Sequence, residues 1–198
     1  MRLVVHYPMY PIRRALEWSF WILLVIGAGA LGYAVFTVAE GVLYQRANTL
    51  LLNVSPPAPL GSDRQPDLRA AALEGAAISR LEIPRLGMSV VVAEGTTPHT
   101  LKLGAGHIRG TAFPDEVGNI GIAGHRDTFF RPLRGINAGD TVVLTTPHQV
   151  LRYSVEWARV VQPSSVDVLR PSPEPLLTLV TCYPFKFVGS APDRFIVR

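Results

Sequence analysis

The chain carries its only cysteine in the stretch Thr178-Leu179-Val180-Thr181-Cys182-Tyr183-Pro184. The residues before the thiol are apolar or β-branched, which is typical of a buried strand. Pro184 ends this strand, because proline has no backbone N–H to donate to a neighbouring strand. The sequence therefore predicts a thiol near the C-terminal end of a strand, where a sheet often borders a cleft. Such a lone cysteine is either a small buried hydrophobe or, with a suitable histidine, a nucleophile.

Two further segments place ionisable side chains at the ends of predicted strands. His125 follows a short apolar run in Gly121-Ile122-Ala123-Gly124-His125-Arg126-Asp127, whose glycines allow close backbone approach. Arg194 begins a last strand in Asp193-Arg194-Phe195-Ile196-Val197. These residues are far from Cys182 in sequence, as is expected when a β-scaffold assembles a catalytic site in space.

These motifs resemble those of sortases, the membrane-anchored cysteine transpeptidases of bacterial surfaces. Thr178-Leu179-Val180-Thr181-Cys182 is similar to the sortase TLxTC signature, Ala123-Gly124-His125-Arg126-Asp127 to the catalytic-histidine segment, and Arg194 falls where the sortase arginine falls. The resemblance covers roughly residues 78 to 198. The segments most similar to class D sortases are His125-Arg126-Asp127-Thr128-Phe129-Phe130, Cys182-Tyr183-Pro184-Phe185 and Val188-Gly189-Ser190-Ala191-Pro192.

The N-terminal region predicts a membrane anchor. Hydrophobic residues make up 48% of the chain, and the stretch from Trp18 to Ala39 has no charged residue and is long enough to cross a bilayer. Arg13 and Arg14 precede it and Glu40 follows it. The positive-inside rule therefore predicts a single-pass plasma-membrane protein with a cytoplasmic N-terminus. The alternatives are a cleaved signal peptide, for which a good cleavage site is missing, and a buried core helix, against which we count apolar residues that lie all round with no polar face.

Four parts are expected along the chain: a cytoplasmic terminus (1–14), a transmembrane helix (15–39), a stalk with a proline-rich linker (40–77) and an extracytoplasmic catalytic domain (78–198). In the last part, many short predicted strands with little helix favour a mainly β barrel or sandwich. The sortase resemblance makes this specific, since it implies an eight-stranded β-barrel with short helices.

Charge and cysteine content exclude several classes of function. The formal net charge of +4 comes from scattered basic residues and not from a block, so no nucleic-acid partner is expected. A single cysteine forms no internal disulfide, and an unpaired thiol outside the cytoplasm supports a reactive role. No metal site or cofactor is expected, because no cluster of histidines and cysteines has metal-ligand spacing.

The resemblance implies a role for each residue near the thiol. Cys182 acts as the nucleophile, and His125 protonates the leaving amine and later deprotonates the incoming one. Arg194 stabilises the developing oxyanion or the substrate carbonyls. The backbone N–H of Tyr183 is a second donor, and Thr181 packs or bonds beside the thiol.

Other side chains leave alternatives open. His107 resembles a second histidine near sortase sites and is either a groove or support residue or a structural one. Asp127 either orients His125 in the manner of a catalytic triad or caps a turn and faces solvent. The proline-rich loop between Val161 and Leu176 either shapes a substrate groove or is an ordinary connection.

The resemblance also implies the reaction and its partners. The substrate is a secreted protein with a C-terminal LPxTG-like sorting signal, cleaved after Thr through a thioacyl enzyme. A primary amine, from a peptidoglycan precursor or a pilin lysine, then accepts the protein. Two alternatives remain: a membrane-anchored cysteine endopeptidase of the same fold that hydrolyses, and a non-catalytic β-module of the cell surface.

Overall fold

The computed structural model describes residues 10–54, 73–187 and 189–198. The chain forms two compact units, residues 1–40 and residues 41–198. Residues 55–72, which include most of the proline-rich linker predicted within 40–77, lie outside the described residues.

The first unit contains most of a long helix, α1 (Tyr10–Val54). The span Arg13–Leu50 is long and apolar enough to cross a membrane, with a hydropathy of 2.2 and none of its most apolar window buried. Large side chains such as Trp18, Tyr33 and Phe36 stay exposed on all sides of this helix. A helix that is apolar all round and uncovered by protein is expected in lipid, as the sequence predicted.

The second unit is built on one nine-stranded sheet. The strands are β1 (Ala77–Ile83), β2 (Met88–Glu94), β3 (Ala105–His107), β4 (Asn119–Ala123), β5 (Thr141–Thr145), β6 (Val150–Ser154), β7 (Ala158–Val161), β8 (Leu176–Tyr183) and β9 (Asp193–Val197). Among residues 73–187 and 189–198, the helical segments are α2 (Pro98–Leu103) and three 3₁₀ turns, Pro84–Leu86, Arg131–Gly135 and Val166–Leu169.

The sheet curls into a half-barrel because its two outermost strands are neighbours in sequence. The strand order is β6-β5-β1-β2-β3-β4-β8-β9-β7, so β6 and β7 lie at opposite ends of the order. Only residues 155–157 separate them, and four extended residue steps span at most about 14 Å. The mainly β fold with a few short helices confirms the predicted class, with nine strands where the resemblance implied eight.

The segment from Gln149 to Val161 forms both outer strands of the sheet, first β6 and then β7. The N–H of Val155 still donates to Asp140 beside β5, whereas the N–H of Glu156 donates to Arg198 beyond β9. The chain therefore leaves the β5 side of the sheet and joins the β9 side between Val155 and Glu156. Both halves of the segment have similar strand-like sequences, so the change of edge is a property of the curled sheet and not of either half alone.

The core lies on one face of the curled sheet. β8 contributes Leu177 and Leu179, and β4 contributes Ile120 and Ile122. Burying each of these side chains contributes about 1.5–3 kcal/mol relative to leaving it exposed. Because successive strand residues point to opposite faces, Cys182 lies on the face of β8 that does not join this core.

The last turns of α1 belong to the same unit as the sheet. The side chain of Gln45 accepts from the N–H of Val91 at 2.8 Å and donates to the carbonyl of Leu103 at 2.7 Å. The hydroxyl of Tyr44 donates to the carbonyl of Gly75 at 2.9 Å. Tyr44 and Gln45 thus join the end of α1 to the unit that carries the sheet.

An ion pair fastens the segment between β4 and β5 to the β1–β2 turn. The guanidinium of Arg85 donates to both carboxylate oxygens of Asp140 and, at 2.6 Å, to the carbonyl of Gly135. The N–H of Asn137 also donates to Asp140, at 2.8 Å. These hydrogen bonds, that from Arg85 above all, hold the pKa of Asp140 below its ordinary value.

Asp140→Asn is expected to lower the free energy of unfolding at pH 7, because it removes the charged acceptor of Arg85. Since the pKa of Asp140 is lowered by folding, its contribution is complete above the ordinary carboxyl pKa and is lost as the pH falls through the lowered value. Chemical denaturation of the full chain at pH 7 and pH 3 should therefore show a wild-type advantage that shrinks on acidification. Asp167→Asn, at an exposed carboxylate, is the matched control, and an equal advantage at both pH values would contradict the assignment.

Candidate active site

Cys182 lies on the middle one of three adjacent strands. β8 pairs in parallel with β4 on one side and antiparallel with β9 on the other. Val180 and Cys182 share the face opposite to Leu179, and both are half-buried. The thiol is therefore partly open to solvent at the end of a strand, as the sequence predicted.

Arg194 is the direct cross-strand partner of Cys182 in the β8–β9 ladder. Side chains directly opposite each other share a face, with β-carbons about 4.5–5.5 Å apart. The Nη1 of Arg194 donates to the carbonyls of Asp193 at 2.9 Å and Ala191 at 3.3 Å. The guanidinium is thus held on the thiol's face by the loop that precedes β9, and its other N–H groups make no hydrogen bond to the described residues.

His125 approaches the thiol from the β4 side. The β4–β8 register pairs Ala123 with Val180, so two more residues in the same register bring His125 level with Cys182. The N–H of Gly124 continues the ladder by donating to Val180 at 3.1 Å. The imidazole of His125 is exposed and bonds to no other described side chain, which leaves both nitrogens available to a substrate.

Two glycines in this segment are required by close packing. A β-carbon at Gly124 would come within 2.8 Å of the buried ring of Phe130, and one at Gly121 within 3.0 Å of Leu169 and Thr111. The N–H of Phe130 donates to the carbonyl of His125 at 3.0 Å, so the chain turns sharply after the histidine. The close backbone approach that the sequence predicted is confirmed at both glycines.

Thr181 joins the histidine segment to the nucleophile's strand. Its hydroxyl donates to the carbonyl of Gly124 at 2.7 Å and is buried. This side-chain bond adds to the backbone bond from Gly124 to Val180 at the point where β4 ends. Of the two contacts predicted for Thr181, packing or bonding, the structure therefore has a hydrogen bond, made to the segment that carries His125.

Tyr183 and Asp127 flank the site. The ring of Tyr183 stacks on Phe195 with ring centres 6.3 Å apart, and its backbone pairs with Asp193 in the β8–β9 ladder. The carboxylate of Asp127 is 69% exposed and lies 3.4 Å from Nε of Arg126. Among the described residues, no hydrogen bond joins Asp127 to His125.

The structure does not bring His107 to the face of Cys182. His107 pairs with Ile122 in the β3–β4 ladder and is 98% buried on the core side of the sheet. Its Nδ1 lies 2.7 Å from the carboxylate of Glu94, and its Nε2 lies 3.1 Å from the hydroxyl of Thr111. The residue therefore belongs to an internal polar network, because its parallel neighbour β2 presents Glu94 on that same side.

Asn119 is a structural residue of the site that the sequence analysis missed. Its amide donates to the carbonyls of Val168 and Arg170, both at 3.0 Å, and accepts from the hydroxyl of Thr178 at 2.7 Å. The proline-rich loop between β7 and β8 is thereby fixed against the sheet face that carries the thiol. A buried asparagine inside an otherwise apolar predicted strand was the signal for this role.

Among residues 10–54, 73–187 and 189–198, no group of three or more His, Cys, Asp or Glu side chains is placed to hold a metal ion. The side chains that the described structure gathers beside Cys182 are an imidazole and a guanidinium, which suit proton transfer and anion stabilisation.

Comparison with known proteins agrees with the geometry. The family model described as the sortase domain matches residues 81–198, which is more than half of the chain. The chain belongs to the sortase family. Sortase D of Bacillus subtilis is 37% identical to this sortase over 125 residues, which are 62% of this chain and 63% of that protein. This sortase thus spans less than two thirds of the length of the curated relatives it matches.

Solved sortase structures share the fold. A sortase D5 transpeptidase of Clostridium perfringens aligns with a TM-score of 0.65 and 28% identity, over 80% of this chain and 96% of that one. Sortase E1 of Streptomyces coelicolor, solved with a tripeptide in its active site, aligns with a TM-score of 0.54 and 33% identity, over 62% and 86% of the two chains. The predicted resemblance to sortases, with class D among the nearest, is therefore confirmed.

Thr181→Val is expected to lower kcat for peptide cleavage by this sortase with little change in KM, because the carbonyl of Gly124 loses the bond that positions His125. The free energy of unfolding should fall by about 1–3 kcal/mol as a buried carbonyl loses its donor. Peptide kinetics and chemical denaturation of the full chain in detergent measure the two effects.

Thr181→Ser is the matched control, because it keeps the hydroxyl and should recover most of the kcat. A role in general packing alone would predict that the serine variant, which lacks the methyl group, is impaired as much as the valine variant. Unchanged kcat in Thr181→Val would also contradict a positioning role.

Proposed function

We propose that this chain is a cysteine transpeptidase that moves a protein bearing an LPxTG-like sorting signal onto a primary amine. The observation that carries the proposal is the register of β4, β8 and β9, which sets His125 and Arg194 on either side of Cys182. A nucleophile, a proton-transfer group and a fixed cation then surround one point at a sheet edge.

In the first half-reaction, the sulfur of Cys182 attacks the carbonyl carbon of the threonine in the sorting signal. A carbon–sulfur bond forms, the carbon–nitrogen bond to the next residue breaks, and His125 transfers the proton that leaves the sulfur to the departing amine. The negative charge that develops on the carbonyl oxygen faces Arg194, whose planar cation stabilises it.

In the second half-reaction, the acceptor amine attacks the thioacyl carbon and His125 takes its proton. A new carbon–nitrogen bond forms and the thiolate of Cys182 leaves. Both half-reactions thus use one imidazole, which is exposed and free of other side-chain bonds among the described residues. The tripeptide in the active site of Streptomyces coelicolor sortase E1 supports a peptide substrate for this site as well.

The test uses the full chain in detergent with quenched sorting-type peptides and a primary amine, followed by mass spectrometry. We expect an amine-ligated product and a thioacyl adduct on Cys182, both absent in Cys182→Ala. His125→Gln should slow the reaction by about 10²–10⁴-fold, and Arg194→Lys by about 10²-fold. His99→Gln and Arg152→Lys, at exposed residues outside the site, are the matched controls.

Other products would favour the alternatives. Hydrolysed peptide without ligation, at every amine concentration, would favour an endopeptidase of the same fold. A folded protein that forms no thioacyl adduct with any peptide would favour a non-catalytic module, and equal losses in the control variants would remove the assignment of His125 and Arg194.

The proposal includes a membrane topology: a cytoplasmic N-terminus and a catalytic unit outside. Because Cys182 is the only thiol of the chain, a membrane-impermeant maleimide should label it in intact cells. Cys182→Ala should abolish this labelling, and Arg2→Cys in that background should react only after permeabilisation. Labelling of Cys182 that requires permeabilisation would contradict the topology.

A further inference from the structure

A pocket of about 490 Å³ lies between the segments that follow β4 and β8. These strands are parallel, so both segments leave the same end of the sheet, one directly after His125 and the other directly after Cys182. The pocket therefore lies at the same end of the sheet as the proposed reaction centre, and its lining begins one residue after each of the two reacting side chains, at Arg126 and Tyr183.

The pocket walls carry an excess of positive charge. Four cationic side chains line it, Arg126, Arg131, Arg134 and Lys186, against the single carboxylate of Asp127. This surplus of like charge is unfavourable by itself and produces a positive potential in a concave space. Of these cations, Arg126 is the one paired with the carboxylate, at 3.4 Å. The pocket is thus suited to an anionic group.

Arg126 gives an independent indication of a ligand. Its side chain is only 6% exposed, and its Nη2 is held by the carbonyls of Phe187 at 2.8 Å and Gly189 at 3.3 Å. Its Nη1 is buried and has no hydrogen-bond partner among the described residues. A buried charged donor without an acceptor is unfavourable, and an anionic oxygen bound in the pocket would supply that acceptor.

We infer that this pocket binds an anionic group on the amine acceptor, a carboxylate or phosphate a few bonds from the attacking amine. The inference rests on the proposed function. In that mechanism the acceptor amine must reach the imidazole of His125, and the pocket begins at the next residue, Arg126. An acceptor held by its anionic group would place its amine beside the thioacyl carbon, which raises its effective concentration there.

The test first forms the thioacyl enzyme from the full chain in detergent, with a sorting-type peptide that has no acidic residue. Its resolution is then timed with 6-aminohexanoate and with 6-aminohexanamide, which differ only in the charge of the far group. The carboxylate is expected to react about tenfold faster at low salt, and the advantage should decline as ionic strength rises. 6-Aminohexyl phosphate in the same assay distinguishes a phosphate from a carboxylate source.

The matched variants test the location of the effect. Arg131→Gln, Arg134→Gln and Lys186→Gln together should reduce the preference for the charged acceptor to about unity, because these exposed cations line the pocket. Arg152→Gln removes the same charge from an exposed position on β6 and should keep the preference.

Several outcomes would overturn the inference. Equal resolution by the charged and neutral acceptors would do so, as would a preference that survives the triple substitution. If acidic residues after the scissile bond of the sorting peptide accelerate thioacylation, and the triple variant loses that effect alone, the pocket belongs to the sorting peptide. If no thioacyl enzyme forms with any peptide, the proposed function itself fails, a result distinct from normal adduct formation without acceptor preference.

Discussion

The parallel pairing of β4 with β8 is the constraint on which the site depends. The backbone bond from Gly124 to Val180, at 3.1 Å, and the side-chain bond from Thr181 to Gly124, at 2.7 Å, extend this pairing past the end of β4. A shift of one residue would move Cys182 to the core face, since side chains alternate along a strand. Geometry at the thiol is therefore set by a sheet ladder, which is more rigid than a loop.

The sheet face that carries Cys182, opposite to the core, is ordered by a further set of hydrogen bonds. Asn119 satisfies its amide with two loop carbonyls and one threonine hydroxyl, so the loop between β7 and β8 is held by a buried polar residue. The opposite face is apolar, with Leu177 and Leu179 packed in the core. A single strand thus separates a hydrophobic interior from a polar, partly open surface where charged chemistry is possible.

Local patterns predicted most of the strands and the residues at their ends. The apolar and β-branched residues before Cys182 predict a strand, and Pro184 predicts its end. Both signals depend only on residues that are close together in sequence. The face occupied by His107 could not be predicted in this way, because it depends on the parallel pairing of β3 with β2 across the intervening helix α2. The sequence also does not predict that the chain changes from one sheet edge to the other between Val155 and Glu156, since this change depends on the curling of the whole sheet.

The half-barrel also leaves β6 and β7 as edges joined by a short bend. Exposed edges recruit strands from other molecules, and charged side chains along them are a common protection. Arg152 is exposed on β6, and Arg159 on β7 lies over the ring of Trp157 at the bend, with 4.1 Å between its Cζ and the ring centre. A strand from a second copy would have to pair beside these charges, which disfavours aggregation through the two sheet edges.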